Sequence, residues 1–469
     1  MNSAFPLQAL SRPLAPPERE SLHSALEGLL LWQRDLRKWP EIAAVPDATP
    51  IVSLYAKGAL CGCAGVSDGT PQERLARAFV QALGDGRFGG LDRETRHELR
   101  AQVSYVKAVT PVEPRRAAQM LEVGSHGIAV ASRGRPVTLL PDVARDHSLD
   151  AEGMLATLER KGNNTRAEWP ADGLYLFETD SVLARPDADP DLISDPIEAA
   201  AAWLARRVDA EGRVTFGMNA RTGEQHQLSP MFHGRCAILV RALLSQRNAR
   251  GAAVRARRHL QSELMRALAG QTVEQWPEDP SLVAGTLALG ALAGIELSDA
   301  LQAYARRPEI LSVPWHAAQV VAALGKHAPS ELWAACQRNL EAEPWAPWTA
   351  LAAHARDDAE TLARATAALI ASIPEHGPHV GGVGPGTVPE LARTAATVEA
   401  LMLVDSAEAR AACSRARAFL LRHQLNGARY APTRDPASVH GAFPQTPVHD
   451  YLQIDVTGHA LLALSATSA

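Results

Sequence analysis

From Pro196 onward the chain carries almost nothing but helical signals, and several stretches repeat one texture. Ala284-Gly-Thr-Leu-Ala-Leu-Gly-Ala-Leu292, Ala317-Ala-Gln-Val-Val-Ala-Ala-Leu324, Ala395-Ala-Thr-Val-Glu-Ala-Leu401 and Gly458-His-Ala-Leu-Leu-Ala-Leu464 all mix small residues with Leu and Val. Small residues on one face let helices approach closely, and the larger ones fill the gaps. A recurring unit of this kind means stacked helical hairpins. Apolar periodicity predicts twelve helices, over 196–208, 233–246, 251–268, 281–294, 298–306, 314–326, 329–341, 347–354, 357–373, 388–404, 408–424 and 454–467. Twelve helices make six hairpins, which points to a closed all-α (α/α)6 toroid, with an open solenoid as the alternative. No strand is expected here. The Gly/Pro-rich loops Gly377 to Pro389 and Asn426 to Leu452 favour the toroid, since such loops crowd one mouth.

Arg185 to Pro196 reads Arg-Pro-Asp-Ala-Asp-Pro-Asp-Leu-Ile-Ser-Asp-Pro and can extend neither helix nor strand. It divides a multidomain chain into residues 1–190 and 191–469. Before it the signals are mixed. Helices are predicted over 18–37, 71–83 and 150–161, and strands over 50–55, 99–109 and 173–179. A hairpin is predicted around Arg133-Gly134. This is an α+β domain with an antiparallel or mixed sheet.

A length of 469 residues also argues for more than one core. The formal net charge of −5 gives no electrostatic support to nucleic-acid binding. Five cysteines are too few for a disulfide scaffold, so a reducing compartment is expected. Residues 1–17 lack the basic and apolar regions of a signal peptide, and no apolar run reaches the length of a membrane span. A cytoplasmic location is expected.

The most chemically suggestive segment is Leu60-Cys-Gly-Cys-Ala-Gly65, which follows the predicted strand 50–55 and is expected to lead into a turn. Its glycines allow close approach of backbone to backbone or to a ligand. Cys63, between Gly62 and Gly65, is a candidate nucleophile. His126 is the candidate base and Arg87 a source of positive charge. The plainer alternative is that Cys63 is a small buried hydrophobe and that Arg87 pairs with Asp85. Cys61 and Cys63 with His126 make a poor metal site, because Cys-x-Cys spacing suits tetrahedral zinc badly and no fourth ligand is evident. Neither a metal nor a cofactor is expected.

With Leu60–Gly65 in hand, residues 17 to 185 resemble the AMMECR-one domain family, whose hallmark is Leu-Arg-Gly-Cys-Ile-Gly. Further pieces follow in the family's order: Asp85-Gly-Arg87-Phe88, Val103-Ser104, Gly124-Ser-His126-Gly127-Ile128, Leu140-Pro141-Asp-Val143-Ala144 and Lys161-Gly162. One departure stands out: the hallmark arginine is Cys61 here. If that arginine bound an anion, Cys61 has lost or replaced the role, or forms a redox pair or soft-metal site with Cys63. The resemblance implies a component of a modification pathway, with Memo-like and radical-SAM proteins as partners. Residues 196–469 are similar in architecture to terpenoid-cyclase-like and six-hairpin glycosidase toroids.

The toroid region carries His226, His233, His316, His376, His379, His440 and His449, mostly in loops or at helix starts. Arg221, Arg235, Trp315, Trp345, Trp348, Asp450 and Asp455 fall in similar places. Gathered at one mouth, such a set would bind a peptide, a sugar or another small molecule. The expected substrate-binding residues are Cys61, Arg235, His233, His316, Trp315, His379, His449, Asp450 and Asp455. Scattered histidines and tryptophans that pack loops are the alternative, and Asp455 also fits a helix cap. Glycosidase chemistry needs two facing carboxylates. Asp450 with Glu211 or Asp279 is the available combination, but nothing in the sequence pairs them. The paired-Asp motif of class II terpene cyclases is missing. A carbohydrate-active or other toroid enzyme, with the first domain accessory, is therefore a second possibility, and a non-catalytic scaffold a third.

Overall fold

The computed structural model describes residues 8–466 apart from 35–37, 44, 90, 133–134, 171–172, 185–194, 230–231, 271–277, 341–345, 378, 385–387, 426–432 and 434. The expected domain boundary and Trp345 therefore lie outside the described residues, and the two expected Gly/Pro loops do so in part.

The first region contains helices α1 (Pro16–Gln33), α2 (Pro71–Leu83), α3 (Arg93–His97), α4 (Ala117–Met120), α5 (Asp142–Asp146) and α6 (Ala151–Gly162). Its strands are β1 (Ile51–Ala56), β2 (Ala59–Gly65), β3 (Arg100–Pro111), β4 (His126–Ser132), β5 (Arg135–Leu139) and β6 (Leu174–Ala184). They form one antiparallel sheet in the order β2-β1-β3-β6-β4-β5. Local chemistry sets the helix ends. Thr70 and Glu73 close a capping box on α2, with Pro71 in its first turn. Asp150 caps α6, which ends at Asn163 in a left-handed conformation, φ 48°.

Two apolar clusters cover the sheet. Leu22, Leu26, Leu29 and Leu30 of α1 and Leu75 and Phe79 of α2 pack with Val52, Leu54, Val103 and Tyr105. Met154, Leu155 and Leu158 of α6 pack with Ile128, Val130, Leu174 and Leu176.

Leu60–Gly65 is itself the edge strand β2, paired with β1, and the expected turn follows it, with a bend at Asp68–Gly69 and Gly69 at φ 104° before α2. Gly62 is needed in β2 because a Cβ would sit 1.9 Å from the carbonyl oxygen of Ala82 at the end of α2. The glycine lets helix and strand backbones touch.

The second region contains α7 (Pro196–Ala205), α8 (His233–Leu244), α9 (Arg250–Leu268), α10 (Pro280–Leu292), α11 (Ser298–Ala305), α12 (Pro314–Leu324) and α13 (Ser330–Asn339). It continues with α14 (Ala346–Ala355), α15 (Ala359–Ser372), α16 (Leu391–Leu401), α17 (Ala407–His423), α18 (Pro436–Val439) and α19 (Ile454–Ser465). Helices α8, α10, α12, α14, α16 and α19 each touch the next, and α19 returns to α8, which closes an inner ring. Helix α7 packs outside α19, and α9, α11, α13, α15 and α17 pack outside α8, α10, α12, α14 and α16. This is a closed (α/α)6 toroid, not an open solenoid. Helix α10 is buried without a break from Val283 to Gly290, as a helix apolar all round must be. Gly458 of α19 lets the helix lie against Ile238 of α8, where an added Cβ would be 3.0 Å from Ile238 Cγ2.

Strands do occur in this region, contrary to expectation. Short β7 (Thr215–Asn219), β8 (Gln225–Gln227) and β9 (Tyr451–Gln453) form a small sheet in the order β8-β7-β9. Its alternating signal is too brief to stand out in a sequence of helices.

The two regions meet along one face. Val448 packs into the apolar cluster behind β4 and β6. Gly124 faces the Pro447 carbonyl, and Gly58, at φ 82°, lets the β1–β2 turn touch the backbone of Arg221. Arg221 Nη2 donates to Asp146 and its Nε to Asp450, each at 2.9 Å.

Candidate functional sites

Strand register sets Cys63 opposite Ser53 of β1, whose Oγ lies 3.5 Å from Cys63 Sγ. Asp85 accepts from the Cys63 amide at 3.1 Å and from Arg87 Nη2 at 2.6 Å. Arg87 Nη2 also donates to the Cys63 carbonyl at 3.0 Å. The Arg87 guanidinium, with Cys63 N–H as a second donor, holds the Asp85 carboxyl down at about 2. The expected Asp85–Arg87 pair thus exists and clamps the backbone of Cys63.

Cys63 and Arg87 border a cavity of about 310 Å³ together with Ser53, Tyr55, Asp142, Asp146 and Lys161. Burial pushes the Cys63 thiol up, and Ser53, Lys161 and Arg87 offset this only in part. Burial likewise lowers the ammonium of Lys161, whose Nζ donates to the Thr138 carbonyl at 2.8 Å. Burial, reinforced by Asp142, raises the Asp146 carboxyl to about 6 against the pull of Arg221. A neutral thiol therefore sits in one cleft with an amine and a carboxyl that both titrate more easily than usual. Cys61 is the bulged residue of β2, skipped between the Leu54–Gly62 and Tyr55–Leu60 pairs, so it does not share the face of Cys63 as regular alternation would require; it packs toward the α1–α2 cluster, its thiol also raised by burial.

The cavity does not include His126. His126 pairs across the sheet with Glu178 and accepts the Glu122 amide on Nδ1 at 3.0 Å. Burial lowers its pKa, and Glu122, Glu178 and Arg422 are its charged neighbours. Arg422 of α17 lies 3.5 Å from Glu122, and the Glu122 and His126 charges also reach His379. His126 and His379 thus share a cluster between the two regions, and His126 is not placed as the base for Cys63. His379, against Phe419, is pushed down to about 4 by burial.

The second cavity, about 440 Å³, lies at the mouth where the inner helices begin, and every inner helix contributes from its first turns. Of the expected residues, Arg235, Trp315, His316 and Asp455 meet there. Burial pushes His316 down to about 4, and its Nδ1 lies 3.1 Å from Ser281 Oγ. Arg235 donates to Gln453 at 3.0 Å, lies 3.6 Å from Asp455 and stacks on Phe216 and Phe232. Asp455 is in the first turn of α19 but is not its cap residue, which is Gln453.

The other expected residues are elsewhere. His233 starts α8 but faces Glu263 and His259, pushed to about 4 by burial. His449 bonds Thr446 at 3.0 Å. Asp450 is engaged by Arg221, Glu211 pairs with Arg213 at 3.2 Å, and Asp279 caps α10. No carboxylate pair forms from those three.

Sequence reasoning missed Lys161 and Asp146 in the first cavity, although Lys161 and the Leu140–Ala144 run were visible as motif pieces. It also missed Gln319, Glu390, Arg393 and His459 in the second. Their signal was a polar side chain inside or at the start of an otherwise apolar helix.

Among the described residues, no group of three or more His, Cys, Asp or Glu is placed to hold a metal ion. No described helix is long and apolar enough to cross a membrane.

Sheet, clamp and ring define a protein class: an α+β domain followed by an α/α toroid. Residues 25–182 match the AMMECR1 family model, so the chain carries an AMMECR1 domain, and the match ends before the toroid. An uncharacterised protein of Pyrococcus horikoshii is similar at 20% identity and TM-score 0.29, covering 38% of this chain and 93% of its own. The type II terpene cyclase MstE from Scytonema is similar at 17% identity and TM-score 0.39, covering 58% and 96%. A glycosidase is similar at 12% identity and TM-score 0.33, covering 57% and 95%. The toroid assignment rests on the closed helix ring itself. A comparison with curated protein sequences finds no match.

Proposed function

We propose that this chain is an enzyme of a modification pathway, with Cys63 as the reacting group of the AMMECR1 domain. The toroid cavity then seats part of a peptide or small-molecule substrate. The observation that carries this is the shared cavity of Cys63, Lys161 and Asp146. A buried thiol is neutral and must lose its proton to attack an electrophile. Of the titratable groups in that cavity, Lys161 and Asp146 are the ones whose titration burial has moved toward neutrality, and they accept it. Arg87 acts through the backbone clamp and as positive charge, and His126 has no part in the step.

Within this reading the partners are a Memo-like protein and a radical-SAM protein, and the location is cytoplasmic. That part rests on the resemblance of the first domain alone. Complementing a deletion strain with Cys63→Ala and profiling peptides and metabolites by mass spectrometry tests the proposal. The expected profile is that of the deletion. A wild-type profile overturns it, and a wild-type profile that depends on retained partners supports a scaffold instead.

A further inference from the structure

The toroid cavity contains a second arrangement, independent of Cys63. His459 of α19 borders the cavity, and its Nδ1 lies 2.5 Å from Oε1 of Glu399 on α16. Both side chains are only 9% exposed. Behind them Arg241 of α8 lies 3.8 Å from the other Glu399 oxygen. The carboxylate accepts the Nδ1 proton, which fixes the tautomer and leaves the lone pair on Nε2. A ring nitrogen oriented by a third group, in a cleft with apolar walls, is the geometry of a general base.

Asp455 lies one helical turn before His459 and also borders the cavity. Its Oδ1 is buried with no hydrogen-bond partner among the described residues. A donor on a ligand would satisfy it. The walls include Phe232, Ile238, Leu289, Trp315 and Trp348, with the Trp348 ring edge-on to His459 at 6.2 Å. Flat apolar rings fit such walls.

We propose that the toroid mouth is a proton-transfer site for a flat, ring-containing, mainly apolar substrate. His459 takes the proton of a carbon or oxygen acid on Nε2. The electron pair of the broken bond stays on the substrate, and the imidazolium is paired with Glu399. Glu399 is a positioning residue. Asp455 accepts a hydrogen bond from the substrate.

The probe is 5-nitrobenzisoxazole with the full chain. Its C3 proton passes to His459, the C–H pair forms the nitrile, and the N–O bond breaks to release a coloured phenolate. Saturable turnover is expected, lowered about 100-fold in His459→Gln. Glu399→Gln is expected to lower kcat about tenfold and to shift the pH profile of kcat downward. The other charged or titratable groups that bear on this profile are Arg241 behind the pair and Asp455, Arg235, Glu390, Arg393 and His316 around the cavity. Turnover no faster than equimolar imidazole overturns the proposal, as does unchanged turnover in a folded His459→Gln protein. If that variant does not fold, Glu399→Gln decides: a moved profile supports the proposal and an unmoved one overturns it.

Discussion

The Cys63 cavity and the cavity at the toroid mouth are built on different principles. The Cys63 cavity is assembled from an edge strand and the segments around it, and its groups are held by short-range bonds: Asp85 clamps Cys63, and Arg221 reaches in from the toroid to hold Asp146. The toroid cavity is assembled from the starts of six parallel inner helices, whose positions are set by ring closure. The first can be altered by removing one neighbour. The second persists unless the ring opens. The link between them is Arg221, which holds Asp146 on one side and Asp450, next to β9 and α19, on the other.

The sharpest way to break the first cavity without touching its chemistry is Gly62→Ala. The added Cβ would lie 1.9 Å from the Ala82 carbonyl, backbone against backbone, so strand and helix must separate. A loss of about 3 kcal/mol is expected in denaturant unfolding, confined to the AMMECR1 domain.

Acid separates the two regions next. His233, His316 and His379 have pKa values lowered to about 4, all mainly by burial. Their neutral forms favour folding above the ordinary histidine pKa, and the benefit is lost as pH falls from about 6.5 to about 4, up to about 3 kcal/mol for each. Asp146 works in the opposite sense: with its pKa raised to about 6, its contribution is fullest below about 4 and is lost as pH rises through 6. Thermal melts across this range should show the toroid weakening toward pH 4 while Asp146 moderates the change in the AMMECR1 domain.

Arg221→Ala tests the link. It leaves Asp146, only 9% exposed, without its hydrogen-bonded arginine and with Arg145 as the nearby cation, while Arg221 itself is 24% exposed. About 2 kcal/mol of lost stability is expected after allowing for that exposure, with the two regions unfolding in separate calorimetric transitions. A single undivided transition would show that the remaining contacts, the apolar packing of Val448 and the Arg422–Glu122 pair, are enough to couple them.

The smallest effect is expected from Cys61→Arg, which restores the residue of the family hallmark. Cys61 is half-buried at the sheet edge, where its thiol lies 3.4 Å from the Ala59 carbonyl and also meets the Ala56 backbone. A change within about 0.5 kcal/mol is expected by equilibrium unfolding.

Much of the architecture was legible in the sequence because periodicity reports burial directly. The twelve helices of the inner and outer rings lie where apolar spacing put them, the four-residue α18 is an addition, and helix count implied the closed ring. The Leu60–Gly65 run was legible as a marker but not as a strand, since its glycines imitate a turn when the partner α2 is out of view. The sites were legible only by residue type. Nothing local in the sequence says that His126 faces Glu178 and Arg422 instead of Cys63, because strand order, not spacing, decides it. His459 and Glu399 are 60 residues apart and meet because α16 and α19 are neighbours in the inner ring.

The central claim is that Cys63 is a reachable thiol whose proton responds to Lys161. Its most direct test is the pH dependence of iodoacetamide alkylation at Cys63, read by peptide mass spectrometry in the native wild type and in Lys161→Met. Burial raises the thiol and the Lys161 charge lowers it. The variant should therefore alkylate several-fold more slowly near pH 8, with its profile moved to higher pH. Equal rates and an unmoved profile, or no native alkylation at Cys63 at all, would contradict the account.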